Sequence, residues 1–552
     1  MPALRFDFPC TGDSAGDEFE SGQVARWIDA IGTAIDVLRT RTGVQRVHVL
    51  GFRIGALLAS QAVRAREDVA GLILFAPPAS GRLYLRELKM AALKLSRGDG
   101  EAADDGLLES GGYAMPADSQ AALSRLVFDL DALPPACPVL VIERDDRQGP
   151  DAGWMGDLLA SGRECTRHTM AGYADMMAPS FRGVEPAATL SRLFDWLAGH
   201  AAPVAAGKPA VAVPQSGQLV LAADRLGKRI RERVAVIDAE RGLQGVLSEP
   251  LDTAAGTAAR PMVLLLPPGA DRRLGPGRLY VGLARDLARS GRVVLRLDVA
   301  GIGDSPARPG DAENQVYQPS ALEDVATAVR YLRAFPQAGA VQVVGTCSGG
   351  YNALRSTLAE PLAQSVTLIN PLTFFWKPGM SLEDPLGSTN LAAAAMNYRQ
   401  NVFSLRHWGG ILRDPRKLIH VGNVLLRWPL TRLRDAWRDV LRDCGVRVSD
   451  DLGGDLLELA RAGVGIHFFF STGDPGETLL KLQGGRAVGR LQRAGKLTVD
   501  RIPGADHDLS FRRDRALLRR QLQAQLCGEH QRSPVRAPPR TGALSHFPSA
   551  AR

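Results

Sequence analysis

Val341-Gln-Val-Val-Gly345-Thr-Cys347-Ser-Gly349-Gly350 decides the fold of this chain. A β-branched apolar run ends in Gly-x-Cys-x-Gly, and a helix-like stretch from Asn352 to Ala359 follows. Strand, sharp turn and helix in that order lift the central side chain clear of a sheet, and the two glycines leave room for the backbone to bend. A side chain held there lies near a helix N-terminus, whose dipole and free N–H groups favour an anion. Cys347 is therefore expected as a nucleophile in a nucleophile-elbow turn, in the place where serine is usual.

Outward from this turn the chain repeats itself. Arg5-Phe-Asp7-Phe-Pro-Cys-Thr-Gly12-Asp13-Ser14 parallels Arg296-Leu-Asp298-Val-Ala-Gly-Ile-Gly303-Asp304-Ser305. Each segment leads, through an amphipathic helix and a β-rich run, to a Gly-x-x-x-Gly turn: Gly51-Phe-Arg53-Ile-Gly55 first, Gly345-Thr-Cys347-Ser-Gly349 second. Both copies return to an apolar strand ending in proline, Leu72–Pro77 and Val366–Pro371. Such alternation predicts a mostly parallel sheet with helices on both faces.

The repeat sets the domain plan. Residues 1–200 form one expected domain and residues 218–527 a second, joined by an Ala/Pro/Gly/Val linker at 201–217. The second copy has a lead-in that the first lacks. Arg233–Asp238 and Gly242–Leu247 read as two antiparallel edge strands, and Met262–Leu266 as a buried strand ending at Pro267-Pro268-Gly269. The first copy thus starts in the middle of its fold. Either its true start lies upstream or its first strands are lost. The former is favoured, because half a sheet exposes an unpaired edge. The Pro/Ser/Arg-rich stretch 528–552 is expected to be disordered.

The 552 residues exceed one ordinary core. The charged fraction of 23% and hydrophobic fraction of 45% are those of ordinary globular protein. The net charge of +8 comes mostly from arginine and fits either an anionic partner, such as a membrane surface or a phosphate-bearing carrier, or arginine spread over the surface; no nucleic-acid motif is present, so no nucleic-acid partner is expected. The six scattered cysteines show neither metal spacing nor a disulfide framework. No signal peptide and no membrane-spanning apolar run is legible, so a cytoplasmic location is expected.

With elbow, strand order and repeat together, the chain resembles the α/β-hydrolase superfamily, twice over. The second copy looks like its serine-aminopeptidase and monoglyceride-lipase-like branch, on Arg296-Leu-Asp298, Gly301–Ser305, the elbow and Gly504-Ala-Asp-His507. The first copy is similar to hydrolase-like proteins of exosortase gene systems, which carry arginine in the elbow. Its Phe6–Ser14 and Gly51-Phe-Arg53-Ile-Gly-Ala56 carry that likeness. The resemblance implies a setting in polysaccharide or envelope biosynthesis.

In this fold the roles follow in the order nucleophile, acid, histidine. Cys347 is the nucleophile. Asp474 ends the strand Gly465-Ile-His-Phe-Phe-Phe-Ser-Thr-Gly-Asp474 and is the expected acid, though a turn-forming role before Pro475-Gly476 also fits it. His507 follows the strand Leu497–Ile502 and is the expected base. The oxyanion hole is assigned to the N–H of Ser348 with that of Gly269 or Ala270. No metal or organic cofactor is required. The segment 372–463, rich in Trp and Arg (Trp376, Trp408, Trp428, Trp437), sits where the fold carries a lid. That lid either admits a lipid- or carrier-linked substrate at a membrane surface or simply covers the site.

An acyl-cysteine is a thioester and keeps enough energy to pass its acyl group onward. Expected activities are therefore acyl transfer, thioester hydrolysis or ester hydrolysis on a small acyl or ester substrate. The rival is a scaffold of two inactive hydrolase-like domains that binds an acyl carrier or a biosynthetic enzyme. In the first copy Arg53 replaces the nucleophile and Asp175 stands at the histidine position. Guanidinium stays protonated and cannot attack a carbonyl. Asp145 or Asp175 is expected to pair with Arg53. The acyl group, the acceptor and the oligomeric state stay open.

Overall fold

The computed structural model describes residues 2–64, 66–95, 106–129, 131–134, 137–146, 153–201, 217–251, 259–377, 380, 437, 440–442, 444, 446 and 449–528. Most of the lid segment, including Trp408 and Trp428, lies outside them, as do most of the linker and nearly all of the tail. Two main sheets are formed among the described residues, both α/β and mostly parallel.

The first sheet is built from β1 (Val47–Phe52), β2 (Val69–Phe75), β5 (Val139–Arg144) and β6 (Cys165–Met170), in the order β1-β2-β5-β6 and parallel throughout. A small hairpin, β3 (Leu108–Ser110) and β4 (Tyr113–Met115), stands apart from it. The helices are α1 (Gln23–Thr42), α2 (Ile54–Ala62), α3 (Gly81–Leu95), α4 (Ala117–Ser124), α5 (Gly153–Ala160), α6 (Tyr173–Met176) and α7 (Ala187–Gly199). Helices α1 to α5 contribute to the core on one face, and α6 and α7 to that on the other.

The second sheet contains β7 (Gln218–Leu221), β8 (Ile230–Asp238), β9 (Leu243–Pro250), β10 (Arg260–Leu266), β11 (Val293–Asp298), β12 (Ala338–Thr346), β13 (Ser365–Ile369), β14 (Gly465–Ser471) and β15 (Leu497–Ile502). Their order is β15-β14-β13-β12-β10-β11-β9-β8-β7. The six strands from β15 to β11 run parallel, and β9, β8 and β7 continue antiparallel. The expected strands β8 and β9 form, but they are not the edge. Gln218–Leu221 pairs outside β8 and takes that place. Helices α8 (Leu279–Arg289) and α13 (Arg512–Leu526) cover one face. Helices α9 (Ser320–Arg333), α10 (Ser348–Ala359), α11 (Leu452–Arg461) and α12 (Pro475–Arg493) cover the other. Strand β10 shows the cause. Met262, Leu264 and Leu266 enter one core while Val263 and Leu265 enter the opposite one, so both faces of the run must be apolar.

The two sheets repeat their local geometry. Arg53 (φ 51, ψ −119) and Cys347 (φ 52, ψ −114) share one unusual conformation. Each donates its N–H to the neighbouring strand, Arg53 to Phe75 O and Cys347 to Ile369 O, both at 2.8 Å. The Ser14 hydroxyl donates to Asp7 O and that of Ser305 to Asp298 O, both at 2.7 Å. Gly12 and Gly303 both have positive φ, and a Cβ on either would strike the carboxylate of Asp7 or Asp298. The likeness stops at β1. Its counterpart by position, β12, lies inside its sheet beside β10, whereas β1 is an edge. Leu50 is consequently 48% exposed, while Val344 is fully buried under α8 and α13.

Buried charge ties the N-terminal turn to the second sheet. Arg278 donates to the carbonyls of Cys10, Gly12 and Ser14 at 2.8, 2.9 and 3.0 Å. Asp13 pairs with Arg273 at 2.8 Å and with the fully buried Arg296. Arg296 also meets Glu232, which holds Arg285 at 2.7 Å. Burial alone would push the Asp13 and Glu232 carboxyls up, but the surrounding guanidiniums hold both below their ordinary values. Removing one member of such a network leaves the others as uncompensated buried charge. Asp13→Ala is expected to lower unfolding free energy by about 3 kcal/mol, read as a fall in the urea midpoint.

Candidate active site

The elbow forms because two positions tolerate no side chain. A Cβ on Gly345 would lie 2.1 Å from Gly349 O, and one on Gly349 would lie 2.4 Å from Leu266 O. Cys347 sits between them at the N-cap of α10, with positive φ and partial exposure. Left-handed backbone at a non-glycine residue stores strain, which the flanking strands must hold.

Asp474 leaves the end of β14 and caps α12. Its Oδ1 accepts from Gly476 N at 2.8 Å, and its Oδ2 pairs with His507 Nδ1 at 2.6 Å. The helix cap and the contact with the imidazole are thus made by different oxygens of one buried carboxylate. A carboxylate on Nδ1 selects the tautomer that leaves Nε2 free. The Cys347 thiol lies close enough to act on the imidazole. Burial works against charge on His507, but the contacts with Asp474 and Cys347 outweigh it and hold its pKa well above the usual histidine range. Cys347, Asp474 and His507, far apart in sequence, are therefore brought together.

Ser348 is buried, and its hydroxyl accepts from the Gly269 N–H at 2.7 Å. This corrects one expectation. Gly269, at φ 56, spends its N–H on the serine side chain. The main-chain N–H groups of Ser348 and Ala270 make no hydrogen bond to another described residue. Ser348 therefore has two parts to play: its side chain tethers the loop after β10, and its N–H stays available at the elbow.

Two features escaped the sequence reading. Asn370 (φ 45) ends β13 and donates from Nδ2 to Ser471 Oγ and His507 O, both at 2.9 Å, while its Oδ1 accepts from Ser471 N at 2.8 Å. Ser471 Oγ in turn donates to Asp506 O at 2.7 Å. This pair fixes the loop that carries His507. Ala76 occupies the corresponding strand end in the first sheet, also at positive φ. The "Asn-Pro" strand ending was visible in the sequence, but nothing marked the asparagine as a bracket. The second feature is Tyr317, a buried residue at φ 61 beside Cys347.

The corresponding place in the first sheet is organised differently from expectation. Arg53 pairs with Glu87 of α3 at 2.9 Å rather than with Asp145 or Asp175, and its guanidinium lies 5.4 Å from the Tyr84 ring centre. Asp145 is turned away to accept from Gly172 N and Tyr173 N at 2.8 and 3.1 Å, which lowers its pKa. Asp175 lies in the short helix α6. The long arginine reaches a neighbouring helix more readily than a loop carboxylate already committed to backbone donors.

Residues 263–520 match the model of the alpha/beta hydrolase family. Solved structures similar to this chain include esterase Est22, at 15% identity over 57% of this chain and 80% of that one, with a TM-score of 0.31. Brefeldin A esterase, a bacterial homologue of human hormone-sensitive lipase, aligns at 16% identity over 59% and 81%, with a TM-score of 0.30. The peroxisomal alpha-beta-hydrolase Lpx1 of Saccharomyces cerevisiae aligns at 15% identity over 59% and 93%, with a TM-score of 0.32. No curated protein matches the chain. Among the described residues no helix is long and apolar enough to cross a membrane.

Asn370→Ala removes three hydrogen bonds at once. It is expected to cost about 2 kcal/mol and to speed amide exchange at Asp506 and His507, as measured by native-state hydrogen exchange.

Proposed function

We propose that residues 218–527 form an acyl-transfer enzyme in which Cys347, His507 and Asp474 act as nucleophile, base and acid. His507 takes the thiol proton, and Cys347 Sγ bonds to the acyl carbon. The leaving group departs with the proton from His507. Water or an acceptor alcohol or amine then attacks the thioester, with His507 again taking the proton. Asp474 keeps the imidazole in the required tautomer. The N–H groups of Ser348 and Ala270 receive the developing oxyanion. The observation that carries this reading is the strained cysteine at a helix N-terminus beside a histidine that is itself held at 2.6 Å by a buried carboxylate.

Residues 1–200 are, on this reading, a second hydrolase-like copy without chemistry. Their elbow has the same backbone angles, but it presents a guanidinium neutralised by Glu87. Their remaining role is architectural: the Asp7–Ser14 turn packs on the arginines of the loop after β10 and of α8. The substrate is a small acyl or ester compound, carried on a lipid or carrier where the pathway is one of envelope or polysaccharide synthesis.

Incubation with p-nitrophenyl acetate or butyrate is expected to give an acyl adduct on Cys347 by intact mass. Cys347→Ala should abolish the adduct, and Asp474→Asn should slow acylation by about 10⁴-fold. Acceleration by added alcohols identifies transfer, and insensitivity to them identifies hydrolysis. No adduct with any short or medium acyl ester would favour the scaffold of two inactive domains. A pH effect follows from the raised His507 pKa. A raised pKa favours the imidazolium beside Cys347, so alkylation of Cys347 by iodoacetamide should be faster than that of the other five cysteines on the acid side of neutrality.

A further inference from the structure

The loop between β11 and α9 carries Tyr317, which the acyl-transfer scheme does not use. Four observations single it out. Its φ of 61 is one a bulky aromatic residue rarely adopts, so the loop spends strain to place it. The residue is 5% exposed, and its hydroxyl makes no hydrogen bond of ordinary geometry to a described residue. The ring is locked from two sides, stacked on Trp376 at 4.4 Å and edge-on to Tyr351 at 5.1 Å. The ring partner Tyr351 donates its N–H to Cys347 O at 3.3 Å, so the phenol lies beside the elbow, where it and the Cys347 thiol act on one another. A buried hydroxyl with no partner costs stability, and its retention calls for a reason.

We propose that Tyr317 is a further catalytic residue: its neutral phenol donates a hydrogen bond to the Cys347 sulfur and stabilises the thiolate opposite His507. This rests on Cys347 being the nucleophile. No proton leaves the phenol. His507 takes the thiol proton, and the Tyr317 O–H stays intact while its hydrogen turns to the sulfur. Burial, with the nearby Cys347 adding to it, holds the phenol well above the usual tyrosine range, so it remains a donor at every working pH. Among the described residues the titratable groups on the sulfur are His507, with Asp474 behind it, and Tyr317, with Tyr351 packed edge-on against the phenol. When the sulfur becomes a thioester it loses its charge. The phenol is then released towards the entering acceptor oxygen or nitrogen.

The test is the pH profile of Cys347 alkylation by iodoacetamide in the full chain and in Tyr317→Phe, with the five other cysteines as internal references. Hydrogen bonds to a charged group are the strong ones. The acid limb in Y317F is therefore expected to move up by about one pH unit, with reactivity at about pH 6 falling by about tenfold. A superimposable limb would overturn the proposal and leave Tyr317 as part of an aromatic wall. A cycle of melting midpoints separates this from failure of the acyl-transfer scheme. Y317F should raise the midpoint in a Cys347→Ala background, where the hydroxyl has lost its neighbour, and should not raise it when Cys347 is present. Equal effects in both backgrounds would overturn the contact. Absence of preferential Cys347 alkylation in the unaltered protein would instead remove the nucleophile scheme while the cycle still reads the contact.

Discussion

Much of this molecule hangs on the backbone of one residue. Cys347 keeps a left-handed conformation because β12 and β13 grip it through its N–H and because Gly345 and Gly349 leave no side chain in the way. A central strand in a sheet buried on both faces is stiff enough to hold that strain. The rest follows from where the turn points. Residues at the ends of β10, β13, β14 and β15 converge on one side of the sheet, so Ala270, Asn370, Asp474 and His507 meet there from distant parts of the sequence. The arrangement needs brackets as well as reactive groups. Asn370 and Ser471 hold the histidine loop, and the Ser348 hydroxyl holds the loop after β10.

The first sheet repeats the strain around a different side chain. Arg53 adopts nearly the same angles as Cys347, so the turn is maintained where a guanidinium stands in place of a thiol. A strained turn around an arginine has a structural use if the surrounding packing has come to require it. Helix α2 starts there, and its Ala56, Leu57 and Leu58 are fully buried. Relaxing the turn would shift that helix. The Arg53–Glu87 pair then serves as the electrostatic closure of a site that would otherwise leave a cation against a helix N-terminus.

The sequence was most informative where geometry forces a residue type. The Gly-x-Cys-x-Gly turn, the buried runs around it and the Asp-to-Ser motif each admit few alternatives, and the α/β architecture follows from them. The meeting of Cys347, Asp474 and His507 was legible because strand ends carry them in a set order. What escaped notice depends on side chains that meet only after folding. Asn370 looked like a strand end, and Tyr317 lay in a loop without pattern. Arg53 was expected to seek the nearest loop carboxylate. A flexible side chain chooses among several acids, and helix α3 was not counted among its neighbours. The edge strand Gln218–Leu221 was missed because four residues give too short a period to read.

The grip of Arg278 on the N-terminal turn has a consequence for how the chain tolerates change. Its guanidinium reads the carbonyls of Cys10, Gly12 and Ser14, which every amino acid possesses. The contact therefore specifies a path for the main chain and does not itself read the side chains at Cys10 and Ser14. The letters around it can drift over generations while the docking survives, provided Gly12 keeps its bend, Asp13 its charge and Ser14 its hydroxyl bond to Asp7 O. Two halves joined this way can look unrelated in descendants and still fit together.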